Sequence, residues 1–262
     1  MADLIATSTT EVENISNLLD KKLPTYRQAY SDRTSWIMAC VAELSYIRFN
    51  PLFPNQDHKK YFLKKINSLI KDNDKPSLDK LINVVGYDHN KEKEDLVDNL
   101  SLLKLELIAT FDNSGTQAII VSNGEYAILG FRGTEATSIR DIKADAKAQS
   151  VDCETGGSIH SGFKEAYNRV GLSIQKRLDE DDLNNIPLYI TGHSLGGALA
   201  TIAAKKLKHQ SGIAACYTYG SPRVGDEIWV TKLKTPIYRV VNAADCVTML
   251  PPGDETISVI SW

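Results

Sequence analysis

The run Leu188-Tyr189-Ile190-Thr191-Gly192-His193-Ser194-Leu195-Gly196-Gly197-Ala198-Leu199-Ala200 restricts the possible folds of this chain more than any other segment. An apolar stretch of strand character leads into Gly-x-Ser-x-Gly, and an alanine-rich stretch of helix character follows. In that context the pattern describes a sharp strand-to-helix turn that lifts a serine hydroxyl above the end of a sheet. A serine at such a tip takes strained backbone angles. Gly192 and Gly196 then stand where a β-carbon would collide with the neighbouring strand or helix. The turn also aims the Leu195 N–H outward at the positive end of the following helix. Ser194 is therefore the candidate nucleophile and Leu195 a candidate oxyanion donor. His193, next to the serine in sequence, is expected to point away from it and to pack in the core.

The surrounding pattern supplies the sheet that such a turn needs. Residues 105–111, 117–121 and 125–131 read as strands joined by Gly-bearing turns, which predicts antiparallel hairpins. Beyond them come a helix over 162–178, a strand over 188–191, a helix over 194–209 and strands over 215–219 and 237–241. Strands alternating with helices imply a parallel sheet covered by helices. The expected fold class is thus α/β, with a mostly parallel central sheet, helices on both faces and a helical N-terminal region. Within that region the spacing of Trp36, Ile37, Cys40, Val41, Leu44 and Ile47 predicts an amphipathic helix over 33–49, capped by Asp32. A second helix is predicted over 57–70, with lysines 59, 60, 64 and 65 as a solvated face. Residues 256–261 read as a last strand. No linker interrupts the chain, so one domain over 1–262 is expected, with about 1–100 as its helical part.

Composition excludes several function classes. Thirty Lys and Arg stand against 33 Asp and Glu, a net charge of −3. No basic excess exists to drive nucleic-acid binding. No apolar run approaches the roughly 18 residues of a membrane-spanning helix. Residues 1–8 lack a basic n-region and an apolar h-region, so no Sec signal peptide is expected, and a cytoplasmic location or signal-less export follows. The four cysteines are scattered without a Cys-x-x-Cys pair, so buried free thiols are expected and no metal or other cofactor. Oligomeric state is not written in these residues.

Five segments in order resemble the class 3 lipases, the α/β-hydrolase family of fungal triacylglycerol lipases, phospholipases A1 and related esterases. They are Phe131-Arg132-Gly133-Thr134, His160-Ser161-Gly162-Phe163, Gly192 to Ala198, Tyr217 to Gly225, and Arg239 to Pro252. The resemblance implies a serine carboxylester hydrolase working through an acyl-enzyme on acylglycerol, phospholipid or related lipid esters. Its partner would be a lipid or ester substrate at a membrane or lipid-droplet surface. Thr134 would be the second oxyanion donor, leaving a strand at the C-terminal edge where open α/β sheets bind ligands. Asp245 would be the acid that orients the base, with Asp226 as a competitor better explained as a helix cap. Residues 135–149 would form a lid, with Ile139, Arg140, Ile142 and Asp145 matching its pattern. Ile142 and Ala146 replace the larger apolar residues usual there, which favours an esterase or modest interfacial activation.

The family places its base histidine after the aspartate. Here no histidine follows His209. His58 and His89 lie in the N-terminal region, and His160 matches a structural position. His209 sits at the end of the predicted helix, roughly 20 Å from the serine at 1.5 Å per residue. Two readings stay open: a missing C-terminal end, which is the expectation, or a lipase-like binding protein without catalysis.

Overall fold

A computed structural model describes residues 5, 8–20, 23, 29–48, 56–86, 88–133, 150–154, 156–242 and 245–249. In chain order its helices are α1 (Thr9–Leu19), α2 (Asp32–Leu44), α3 (Gln56–Lys71), α4 (Lys75–Val85) and α5 (His89–Leu102). Strands β1 (Glu106–Asn113), β2 (Thr116–Ser122), β3 (Ala127–Phe131), β4 (Ser150–Asp152) and β5 (Ser158–His160) follow. Then come α6 (Ser161–Leu178), α7 (Asp181–Asn184), β6 (Leu188–His193), α8 (Leu195–Lys206), β7 (Ile213–Tyr219), α9 (Glu227–Thr231), β8 (Ile237–Val240) and a 3-10 turn, Cys246–Met249. Contacts divide the chain into two compact units, one built on residues 47–98 and one on 3–46 with 99–262. The first holds α3, α4 and the start of α5. Among the described residues no helix is long and apolar enough to cross a membrane.

The second unit is organised on a six-stranded sheet of order β1-β2-β3-β6-β7-β8. β1, β2 and β3 pair antiparallel, while β3, β6, β7 and β8 run parallel. Ser114 and Gly115, both at positive φ (50° and 82°), make the tight turn between β1 and β2, as two-residue hairpins demand. Alternate side chains serve opposite faces, as the pleat dictates. Ala118, Ile120, Leu129, Phe131, Leu188 and Ile190 join Ile174 of α6 and Leu199 and Ile202 of α8 in one buried cluster. On the other face α2 lies against the sheet: Thr191 Oγ1 donates to the Met38 carbonyl at 3.0 Å, and a β-carbon on Gly130 would stand 3.1 Å from Val41 Cγ1. The sheet is mixed, and helices cover both faces.

Register decides where the site can form. Phe131 of β3 pairs with Gly192 of β6, and His193 with Tyr219 of β7, which itself pairs with Val240 of β8. Four strands therefore end level, and the segments that follow them leave from one edge.

Several predicted boundaries move. The first amphipathic helix starts from Ser31, not Asp32: the Ser31 hydroxyl accepts from Thr34 N–H at 3.4 Å on extended backbone, while Asp32 occupies the first turn, where a carboxylate suits the helix dipole. That helix ends at Leu44 instead of 49, and the helix predicted over 194–209 ends at Lys206, where Leu207 turns extended. The strand predicted over 256–261 lies outside the described residues. Cys40 and Cys216 are free thiols; burial pushes the first up to about 12 and the second higher still, so neither is a reactive thiolate at neutral pH. Ile190, fully buried between the faces, tests the core: Ile190→Ala should cost about 2–5 kcal/mol, measured as a lowered urea midpoint at unchanged m-value.

Candidate active site

Ser194 ends the polypeptide's run along β6 with φ 54° and ψ −125°, backbone angles that a side-chain-bearing residue holds only under constraint. Its N–H donates to the Tyr219 carbonyl at 2.9 Å, and its own carbonyl accepts from Gly197 N–H at 3.0 Å. The remaining constraint is steric. A β-carbon on Gly192 would strike the backbone of Gly196, and one on Gly196 would strike the Phe131 carbonyl oxygen and come within 3.0 Å of Gly133 N. Gly197 is likewise closed off by Ser221, 2.7 Å from its would-be β-carbon. Strand, turn and helix thus touch backbone to backbone. The Ser194 side chain is buried, and its Oγ has no hydrogen-bond partner among the described residues.

Leu195 opens α8, and the first N–H groups of a helix have no acceptor inside it. They add to the positive end of the dipole. Opposite lies the segment that runs from β3 towards Thr134. Thr134 itself and the lid positions Ile139, Arg140, Ile142 and Asp145 lie outside the described residues, but Phe131, Arg132 and Gly133 are held against the elbow by the Gly196 contact.

Tyr46, just past α2, ties this segment down, and nothing in the sequence marks it. Its hydroxyl lies against Gly133 and sits 2.9 Å from His193 Nδ1. Burial, with Glu43 second, pushes the phenol up to about 12. His193 is exposed, not packed in the core as expected. It is the last residue of β6, level with Tyr219.

Asp245 reaches the same edge from the far side. Its Oδ1 accepts from Val247 N–H at 2.9 Å, while Oδ2 lies 3.0 Å from where a Gly220 β-carbon would stand. His193 Nε2 is 3.5 Å from that point. Gly220 (φ 55°) follows the Tyr219 carbonyl that holds Ser194, so the serine and the carboxylate flank one glycine. Asp226 is the cap of α9, accepting from Trp229 N–H at 2.7 Å and from Ser158 N–H at 2.9 Å. His160 stacks on Phe163 at 4.4 Å, and His209 Nε2 bonds the Ile186 carbonyl at 2.7 Å. No imidazole among the described residues is bonded to Ser194 Oγ, and no group of three described His, Cys, Asp or Glu side chains could hold a metal ion.

A mixed sheet with helices on both faces and a strained serine at a strand-to-helix turn define an α/β-hydrolase. The model of the lipase (class 3) family matches residues 128–255, just under half of the chain, and over that stretch the chain is similar to this family. It is 38% identical over 109 residues to a secreted mono- and diacylglycerol lipase of Fusarium solani, covering 40% of this chain and 33% of that protein. It is 32% identical over 172 residues to a lipase of Rhizomucor miehei, covering 61% and 46%. The chain thus spans between a third and a half of these two relatives. Among solved structures, the Rhizomucor miehei lipase in a propeptide complex superposes with a TM-score of 0.52 at 29% identity, over 60% of this chain and 54% of that one. The lipase of Rhizopus microsporus var. chinensis shares the fold over 95% of this chain and 71% of its own, at TM-score 0.52 and 22% identity.

The strain at Ser194 is measurable. Glycine adopts positive φ without penalty, so Ser194→Gly should raise Tm, by about 2–4 °C if roughly 1 kcal/mol is released. A lowered Tm would mean that the turn holds no strain.

Proposed function

We propose that this chain provides the nucleophile, the acid and the oxyanion cradle for hydrolysis of lipid carboxylic esters through an acyl-enzyme. The observation that carries this reading is Ser194 itself: a buried, unbonded hydroxyl on a strained turn, with Asp245 across Gly220. The Ser194 Oγ attacks the ester carbonyl as a base takes its proton. The oxygen of the tetrahedral adduct gathers charge beside the N–H of Leu195 and that of Thr134. Donors fixed before the reaction stabilise this charge without reorganising. The alcohol leaves with the proton, and water then repeats the sequence on the acyl-serine. Asp245 orients the base and stabilises its cation.

The base is an imidazole lodged between Ser194 and Asp245, above Gly220. None of the five histidines of the sequence is bonded to the serine in the described structure, and none follows Asp245. Among the described residues no imidazole fills that role. Acylglycerols are the favoured substrates, in line with the names of the Fusarium and Rhizomucor relatives. Phospholipase A1 activity is the finer alternative, and the modest apolarity of residues 135–149 favours short or dispersed esters over a bilayer surface.

Residues 1–262 are expected to hydrolyse p-nitrophenyl butyrate slowly, about 10³-fold above water. Added imidazole should raise the rate by about 10²-fold over its own background, and Ser194→Ala should abolish this imidazole response with the circular dichroism unchanged. An equal imidazole response from wild type and Ser194→Ala would favour a lipase-like binding protein instead. Rapid turnover without imidazole would show that one of the present histidines serves as the base.

A further inference from the structure

A cavity of about 390 Å³ opens beside the C-terminal end of α8. Lys205 there is ten residues beyond Leu195, about 15 Å along the helix axis, so the cavity belongs to the opposite end from the serine. Lys205, Lys232, Lys234, His209 and Thr235 line it around an apolar floor that includes Leu207, and no carboxylate does. The neighbouring lysines Lys164 and Lys206 both pair with Glu154, whereas no described carboxylate pairs with Lys205, Lys232 or Lys234. In a chain of net charge −3 this is a concentration of uncompensated positive charge.

The cations are also held in place. Lys205 Nζ donates to the Trp229 carbonyl and lies 4.1 Å over the centre of its indole ring. Lys232 is laid across Gly156, its Nζ where a β-carbon of that glycine would be. Burial lowers the proton affinity of Lys205, and the charge of Lys232 lowers it further; Cys153 and Asp226 act in the other sense. Asp226 has both oxygens committed to backbone N–H groups. The dipole of α8 attracts cations to its last turn, which accounts for Lys205 but not for two more lysines converging from the segment after α9. His209, which lines the cavity, is anchored from behind. Its Nε2 is used by the Ile186 carbonyl, and its Nδ1 is buried without a partner. In the neutral ring that nitrogen accepts.

We propose that this cavity binds a phosphate monoester, with Lys205, Lys232 and Lys234 around its oxygens. A monoester carries close to two negative charges near pH 7. A single carboxylate would leave most of the positive charge unmatched. The proposal is independent of the reaction proposed for Ser194.

Two sources supply this chemistry: a soluble ester and a lipid headgroup. Inorganic phosphate and glycerol 3-phosphate should each titrate the 1–262 protein at low ionic strength to one-site saturation, read by calorimetry and by the fluorescence of Trp229 under Lys205. A dissociation constant on the order of 1 mM or tighter is expected. Lys232→Gln with Lys234→Gln should weaken binding at least about tenfold, the loss of a charge-assisted contact. Lys91→Gln with Lys93→Gln, the same change of net charge elsewhere, should leave it unaltered. If only vesicles containing phosphatidic acid bind, and bind through Lys232 and Lys234, the ligand is a lipid headgroup and the site stands. No saturable binding to any of the three probes would overturn it, as would equal losses in the two double variants.

Discussion

Backbone-to-backbone contact at two glycines is what the rest of the site depends on. Gly192 closes on Gly196, and Gly196 closes on the carbonyl of Phe131. A single β-carbon at either place would push α8 away from the end of the sheet. With both absent, the helix begins directly above the end of β6 and Ser194 is forced through φ 54°. The same contact sets the segment after β3 beside the first N–H groups of α8. Ser194 and the end of the segment after β3 are therefore positioned by one close approach.

The level strand ends extend this arrangement sideways. Because Phe131 pairs with Gly192, and His193, Tyr219 and Val240 pair one residue further on, the following segments start within one residue of the same height. Tyr219 serves two purposes through its neighbours: its carbonyl holds Ser194 N–H, and Gly220 after it leaves room for the Asp245 carboxylate. Helix α2 contributes from the other face. Ser45 donates to the Phe131 carbonyl at 3.2 Å and Tyr46 clasps Gly133 and His193. The N-terminal helices of this unit are thus part of the site's support.

What could be read from sequence follows the range of the interactions. Ser194, Leu195 and the flanking glycines were legible because strand, turn and helix are consecutive. The hairpins were legible because Gly115 and Gly124 mark their turns. Asp226 as a cap was legible for the same reason, its bond to Trp229 spanning three residues. Tyr46 was not, since its partner His193 is 147 positions away and no local pattern distinguishes it from a core tyrosine. His193 was misread as buried because its place next to the serine implies only that it points away from it, whereas as the last residue of β6 it stands exposed. Helix ends shifted where a cap outside the apolar repeat decides them, as Ser31 does.

The central claim is that the turn makes Ser194 the protein's reactive hydroxyl. The most direct measurement is time-dependent modification of residues 1–262 by a fluorophosphonate in the presence of imidazole, followed by intact mass and peptide mapping. A single adduct on the peptide carrying Ser194, forming faster than on any other serine, is the result this account requires. Modification spread over several serines at similar rates, or a preferred site elsewhere, would contradict it.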